Sequence, residues 1–429
     1  MDWVEDIPFG LAACFLNGEQ ATVVCMTDER VRVRFAEEIA VKSVRICFLQ
    51  NDYAGYASVE SASWRVESVK NAGSMGFEYE LWFEDGAFRR EALRALKLLA
   101  NYIRLKQIGD DEYLAHSLSG CPYAETEALT LDAQKKEWLG SLRGMDIPGN
   151  WSLALSLDRP ELYERFLNVR FPEFQKEYLS RSYLDQHSLF TRRADRVYIG
   201  NEYCFKLFPS REALRALLAR TEKTGVSATV VLPPVRQRDE ELAASLLSDV
   251  GQSRADEISV SDWGALNMAK TTGKRIVLGT LLNKRKKDPR LFRKSGAEAL
   301  FDVLGQNALN APAFQAWLKS AGVERCEYEA CGYPLALAPG KHSLHLPFYQ
   351  TNTSSDCPLA AECFSLDPGK RVEDCQRVCL KNARLYPDWM KLVGRYNSLF
   401  ALDAGILRDS GLLEGYLSAG IDRLVLNAL

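Results

Sequence analysis

The sequence predicts an α/β protein whose larger, C-terminal part is a (β/α)8 TIM-like barrel, preceded by a small antiparallel β-barrel with a closing helix. Three observations predict it. From Trp151 onward, short apolar strands alternate with helix-length segments. Residues 10 to 85 instead alternate polar and apolar positions with a period of two, between repeated Gly, Asn and Asp turn signals. An amphipathic stretch opening at Gly86 separates the two regimes.

Taken in order, the N-terminal strands are LAACFL, ATVVCM, RVRVRF, SVRICFL, SWRVESV and FEYELWF. The helix after Gly86 places Leu93, Leu96, Leu99, Ala100 and Ile103 on one face and Arg and Lys opposite. Residues 1–120 thus form a first domain. Residues 121–150 are polar, end in DIPGN and read as a linker. The barrel domain, 151–429, draws its strands from SLALSL, RVYIG, SATVVL, EISVS, RIVLG, VERCEYE, SLFALD and DRLVLNAL. YPLALA and SLHLPFY fall between the sixth and seventh of these and read as an inserted hairpin. Periodicity alone also fits an open doubly wound sheet; the strand count favours closure.

A chain of 429 residues exceeds what one hydrophobic core supports, so two or three domains are expected. The 54 basic and 57 acidic residues give a net charge of −3, so the whole molecule has no attraction to nucleic acid or anionic lipid. The N-terminus carries acidic residues where a secretory leader carries basic ones. No apolar run approaches the roughly 20 residues that span a bilayer. A cytoplasmic location without a membrane span is the expectation.

In that compartment eleven cysteines are not a disulfide framework, and clustered ones point to metal. Cys14, Cys25, Cys47 and Cys121 are scattered and read as small buried hydrophobes. Cys363, Cys375 and Cys379 form C-x11-C-x3-C in a polar segment with little to pack, where thiolate–metal bonds supply a reason for order. Three thiolates imply a fourth ligand, with Cys204, Cys326, Cys331 and Cys357 as candidates. Cys204 follows the second barrel strand, at the end that carries active-site loops in such barrels. Four cysteines suit either an iron–sulfur cluster or zinc, although the C-x2-C pairs common in zinc sites are missing.

The run DRVYIGNEYCFK, then ATVVLPPVRQRDEEL, EISVSDWGALNMAK, RIVLGTLLN, HLP and CF-x10-C-x3-C, resembles the collagenase-like peptidase superfamily, and within it the UbiV-like branch of oxygen-independent hydroxylation proteins. The likeness covers roughly residues 150 to 427. It implies a barrel with a [4Fe-4S] cluster on Cys204, Cys363, Cys375 and Cys379, Cys357 being the alternative to Cys363 because the loop after His345 is long. It further implies hydroxylation or electron transfer on an aromatic or RNA substrate, and a related barrel subunit as partner. The N-terminal region is similar to PilZ domains in strand order only; the RxxxR box and D/N-x-S-x-x-G turn of a nucleotide-binding PilZ domain are missing.

Other candidates rest on position. Asp262 and Asn283 follow barrel strands and, with His345, are catalytic candidates; helix capping explains an Asp or Asn there equally well. Lys284, Arg285, Lys286, Lys287 and Arg290 form a basic run after the fifth strand, suited to an anionic substrate or an RNA backbone. Glu327 and Glu329 alternate along the sixth strand toward the barrel mouth. Arg30, Arg32 and Arg34 share one face of a strand and read as a solvated surface. No G-x-S-x-G, H-E-x-x-H, GxGxxG or P-loop motif is present, so the residues give a peptidase reading no support. A regulatory or scaffolding role with a nucleotide-sensing N-terminal domain is the competing class.

Overall fold

A computed structural model gives the architecture and describes residues 3–5, 7, 11–49, 56–60, 63–108, 124–145, 147–289, 301–365, 372, 375–385 and 391–429. The N-terminal part is an antiparallel half-barrel. Its strands run in the order Tyr56–Glu60, Val44–Leu49, Ala12–Leu16, Glu19–Met26, Arg30–Phe35, Phe77–Phe83 and Trp64–Asn71, with Val4–Glu5 added beside Glu19–Met26. Among the described residues its two end strands are not paired with each other. The helix Gly86–Ile108 packs on it through Phe88, Ala92, Ala95 and Leu96. That stripe is rotated from the expected one: Leu93 and Ala100 are exposed, because Phe88 stacks on Phe83 and fixes which side of the helix meets the sheet. Arg30 and Arg32 pair with Glu80, and Arg34 with Glu78, across adjacent strands, while Trp3 and Trp82 lie under Arg30. The arginine row is therefore neutralised within its own sheet.

The larger part is a closed barrel of eight parallel strands: Ser152–Leu157, Arg196–Ile199, Ser227–Leu232, Glu257–Val260, Arg275–Leu278, Val323–Glu329, His342–Leu346 and Ile421–Leu426. Seven match the sequence-based assignment. The seventh does not: His342–Leu346 lies between the sixth and eighth strands, parallel to both. The segment taken as the seventh strand, Ser398–Leu402, belongs to a four-stranded antiparallel sheet with Phe348–Thr353, Leu392–Arg395 and Arg384–Leu385. YPLALA forms no strand. Both rival segments are short and apolar, and only the parallel pairing, which needs a long crossover on each side, decides between them.

Within 121–150, read as a linker, residues Ala124–Leu139 form a helix. Its Leu131, Trp138 and Leu139 are buried in the barrel's core, and Lys135 Nζ donates to the main-chain oxygens of Ala428 and Leu429 at 2.9 and 2.6 Å. Polar composition hid it, since it buries a narrow face while the rest stays wet. No described helix is long and apolar enough to cross a membrane.

Barrel interiors are usually filled by branched apolar side chains; here a polar chain runs through the middle. Glu257 accepts from Arg423 Nη1 and Nη2 at 2.7 and 3.1 Å and from Thr229 Oγ1 at 2.9 Å. Arg423 Nη1 also donates to Tyr198 Oη at 2.9 Å, and Tyr198 Oη donates to Glu327 Oε1 at 2.9 Å. Burial opposes the charge on Glu257, but Arg423 and Arg196 outweigh it and hold the carboxyl well below the usual range.

Two predictions follow from this packing. Glu257 contributes stability that is present in full above the ordinary carboxylate value of 4.5 and is lost as pH falls through its depressed folded value. Arg423→Met should therefore cost on the order of 3–5 kcal/mol near neutrality, and the penalty should shrink in acid, as read by urea titrations at several pH values. A penalty independent of pH would exclude the pairing as its cause. At the end of the second strand, Gly200 has φ +124°, and an added Cβ would stand 2.3 Å from Val231 O. Gly200→Ala should lose about 2–4 kcal/mol in the same titrations through backbone strain and overpacking; a wild-type midpoint would contradict it.

Candidate functional site

The mouth of the barrel, at the C-terminal ends of the strands, gathers the chemistry. After the second strand, Asn201 is fully buried; its Oδ1 accepts from the backbone N–H of Tyr203 and Cys204, both at 2.9 Å, and its Nδ2 donates to Asp158 O at 3.0 Å. This side-chain turn holds the Cys204 loop against the rigid strand end. The segment that leaves the seventh strand, 348–420, crosses the mouth and carries the other cysteines. Asn427 clamps it to the eighth strand by donating to Phe348 O at 2.7 Å and accepting from Phe348 N at 3.1 Å. Asn397, at the tip of its hairpin, donates to Tyr203 O at 2.9 Å. The insertion is thereby tied directly to the Cys204 loop.

Four thiols come within electrostatic reach of one another there. Burial pushes the Cys204 thiol up, with Cys375 adding to the effect. Cys357 is pushed up to about 12 by burial, reinforced by Cys204 and Cys375. Cys379 is raised by burial and by Cys357, Cys204 and Cys375. Such mutual action requires proximity in a low-dielectric setting. Cys357 precedes the helix Pro358–Ser365 and its Sγ donates to Tyr396 O at 3.0 Å; Cys375 Sγ accepts from Arg377 N at 3.3 Å; Cys379 sits in the barrel's own core. Arg236 and Arg395 are the cations that act on Cys204 and Cys379. Cys363 packs beside the same core but is disulfide-bonded, and no other described cysteine is its partner. Among the described residues no three His, Cys, Asp or Glu side chains surround a single ion-sized point. Cys326 and Cys331 are buried elsewhere in the wall and keep no company with these four.

Below the thiols lies a cavity of about 40 Å³ lined by Asp158, Tyr198, Asn201, Glu202, Tyr203, His345, Tyr396 and Phe400 among others. His345 Nε2 is 2.6 Å from Glu327 Oε2. Burial disfavours the imidazolium, but Glu327, helped by Glu202 and Glu329, holds the ring above its ordinary value. Glu202 Oε1 accepts from Thr280 Oγ1 at 3.0 Å, Ser261 Oγ at 3.2 Å and Leu281 N at 3.3 Å, and burial raises its carboxyl. Tyr396 roofs the cavity with a left-handed φ of 59° and donates to Asp158 Oδ2 at 3.0 Å. On its other side, a pocket of about 220 Å³ is lined by Arg384, Arg395, Asn352, Asn397 and Leu359.

The sequence-based candidates divide accordingly. His345 lies inside the mouth. Asn283 is buried and donates to Glu327 O at 3.3 Å, with its Oδ1 unpartnered. Asp262 is taken up structurally, capping helix Trp263–Lys270 through Ala265 N at 2.8 Å and accepting from Val235 N at 2.8 Å. The basic run splits: Lys284 and Lys286 are exposed, Arg285 donates to Glu329 O, and Lys287 pairs with Glu329 and with Gln350 Oε1 at 2.9 Å. Its two inward members are thus both committed to Glu329, Arg285 to the main-chain oxygen and Lys287 to the buried carboxylate, and Arg290 lies outside the described residues. Sequence reasoning missed Glu202, Tyr198, Asp158 and Tyr396; an NEYC tetrapeptide directly after a barrel strand was the only signal for the first.

No protein-family model matches the chain, and no curated protein is detectably similar to it. Among solved structures, an uncharacterised protein of Legionella, Lpg0364, aligns at 10% identity over 24% of this chain and 99% of its own, with a TM-score of 0.19. The 3-dehydroquinate dehydratase of Aquifex aeolicus VF5 aligns at 13% identity over 52% and 77%, with a TM-score of 0.23. A muconate lactonizing enzyme of Pseudomonas fluorescens aligns at 12% identity over 89% and 97%, with a TM-score of 0.25. Likenesses this slight carry no argument about what this chain does.

Proposed function

We propose that this protein is an iron–sulfur protein holding one [4Fe-4S] cluster on Cys204, Cys375, Cys379 and Cys357, in a UbiV-like setting of oxygen-independent hydroxylation or electron transfer on an aromatic or RNA substrate. The observation that carries the reading is that Asn397 ties the insertion bearing Cys357, Cys375 and Cys379 to Tyr203, next to Cys204, while Cys357 Sγ donates to Tyr396 O, so that segments as far apart as residues 204 and 379 bring their thiols within electrostatic reach of one another. Cys357 replaces Cys363 in the proposed set because its thiol is free and acts on Cys204 and Cys375, whereas Cys363 is bonded elsewhere. Burial keeps Cys204, Cys357 and Cys379 protonated, so binding a cationic centre there would release their protons, with Arg236 and Arg395 beside the thiolates that form.

Zinc is the alternative. At Zn–S distances of about 2.3 Å a tetrahedral site draws its sulfurs to within roughly 3.8 Å of one another, and a four-iron cube spreads its ligands more widely. A bound cluster would supply one-electron chemistry at the barrel mouth. The chain's own residues there do the rest: Asn201 fixes the Cys204 loop, Tyr396 and Phe400 line the cavity beneath, and Arg384 and Arg395 offer charge to an anionic ligand.

Protein purified without oxygen should contain about four irons and four sulfides per chain. Cys204→Ala, Cys375→Ala, Cys379→Ala and Cys357→Ala should each lose most of the iron, whereas Cys363→Ala should keep it. Retention by Cys357→Ala with loss by Cys363→Ala would restore Cys363 to the ligand set; stoichiometric zinc, or thiols without metal, would reject the cluster.

A further inference from the structure

A second group of chemistry-bearing side chains stands inside the barrel, apart from the thiols. His345 ends the seventh strand with Nε2 held by Glu327, and it lines the 40 Å³ cavity; among the described residues nothing hydrogen-bonds its Nδ1. Glu327 is itself fixed, since its other oxygen accepts from Tyr198, which Arg423 anchors to Glu257. The ring is further set by edge-on contact with Tyr198, centroids 5.6 Å apart. One nitrogen bound to a fixed carboxylate, the other without a hydrogen bond among the described residues, on a ring that lines a cavity, is the arrangement by which a carboxylate orients an imidazole for proton transfer.

We propose that His345 is a proton-transfer residue of a buried site, exchanging a proton between Nδ1 and a water-sized oxygen or nitrogen ligand in this cavity, with Glu327 as its positioning residue. The volume of about 40 Å³ admits on the order of three waters at roughly 10–15 Å³ each, so the ligand is water, ammonia or one hydroxyl or amino group of a larger molecule reaching in. Polar partners for it are present in Asp158, Asn201 and Asn427.

In the transfer the Nδ1–H bond breaks, its electron pair stays on the ring, and the proton joins a lone pair of the ligand. The Nε2–H···Glu327 bond persists, and the reverse step restores the imidazolium. No electrons change hands. The groups acting on the ring are Glu327 and Glu329 from the sixth strand and Glu202 from the loop after the second, with Tyr198 of the second strand edge-on to it; Arg423 from the eighth acts on Glu327, and Lys287 neutralises Glu329. Carboxylates outnumber cations around it, which favours the proton-bearing form. The inference stands whether or not the thiols carry metal.

The chain has only four histidines, so a sample labelled at histidine Cε1 gives four resolvable resonances, assignable by single His→Gln substitutions. His345 should titrate with a midpoint above 6.5, while burial keeps His187 and His342 below it. Glu327→Gln should lower the His345 midpoint by about one pH unit or more; Glu327→Asp serves if that variant does not fold. A crystal structure near pH 6 should place ordered solvent about 2.6–3.2 Å from Nδ1. A His345 resonance unchanged between about pH 5 and 9, or a dry cavity at high resolution, would overturn the proposal.

Discussion

Everything distinctive in this molecule depends on the pairing of His342–Leu346 between the sixth and eighth barrel strands. Parallel pairing on both sides closes the sheet and leaves no edge. It also decides where the chain goes next. Because Leu346 ends at the mouth, residues 348–420 must cross that mouth before Ile421 can re-enter from below, and the insertion builds a sheet there and not on the barrel's flank. Placing the seventh strand at Ser398–Leu402 would have put three of the cysteines on a connection of unspecified direction. In the observed pairing they lie over the end of the barrel from which the Cys204 loop rises.

The same pairing turns His345 inward beside Glu327, and this connects the mouth to the barrel's polar interior. A buried carboxylate without a partner would shed its charge or destabilise the fold. Here Glu257, Arg423, Tyr198, Glu327 and His345 satisfy one another in sequence, so the charges of the lower barrel and of the mouth are set together. Among the described residues Glu202 pairs with no Lys or Arg and is held by hydroxyl and amide donors, with its carboxyl raised by burial. Two carboxyls that act on the same histidine, Glu202 raised and Glu327 lowered, thus occupy opposite protonation preferences, a separation that environment alone produces.

Much of this was legible in the sequence. Seven barrel strands stood out because buried parallel strands read as short apolar runs between helices. The assignment of the seventh strand failed because HSLHL carries two histidines and a serine, Ser343 and His345 meeting polar partners inside the barrel and His342 bonding to Ala338 O on the other face, and so looks less like a core strand than SLFAL does. Spacing and position singled out Cys204, Cys375 and Cys379 as ligand candidates, and the structure brings their thiols within electrostatic reach of one another and of Cys357, which precedes the helix Pro358–Ser365 that carries Cys363; no local pattern separates those two. Asp262 and the basic run illustrate the opposite error. Residue type suggested chemistry, whereas the fold uses Asp262 to cap a helix and Lys287 to neutralise Glu329. Glu202, Tyr198 and Asp158 were missed because their convergence is a product of barrel closure and leaves no local pattern.

The central claim is that four sulfurs from distant segments serve one inorganic centre. Mössbauer spectroscopy of protein produced in 57Fe medium and kept free of oxygen tests it most directly. The account expects the spectrum of a diamagnetic four-iron cluster integrating to about four irons per chain, abolished in Cys204→Ala. A high-spin ferrous spectrum of adventitious iron, or no protein-bound iron beside stoichiometric zinc, would contradict it.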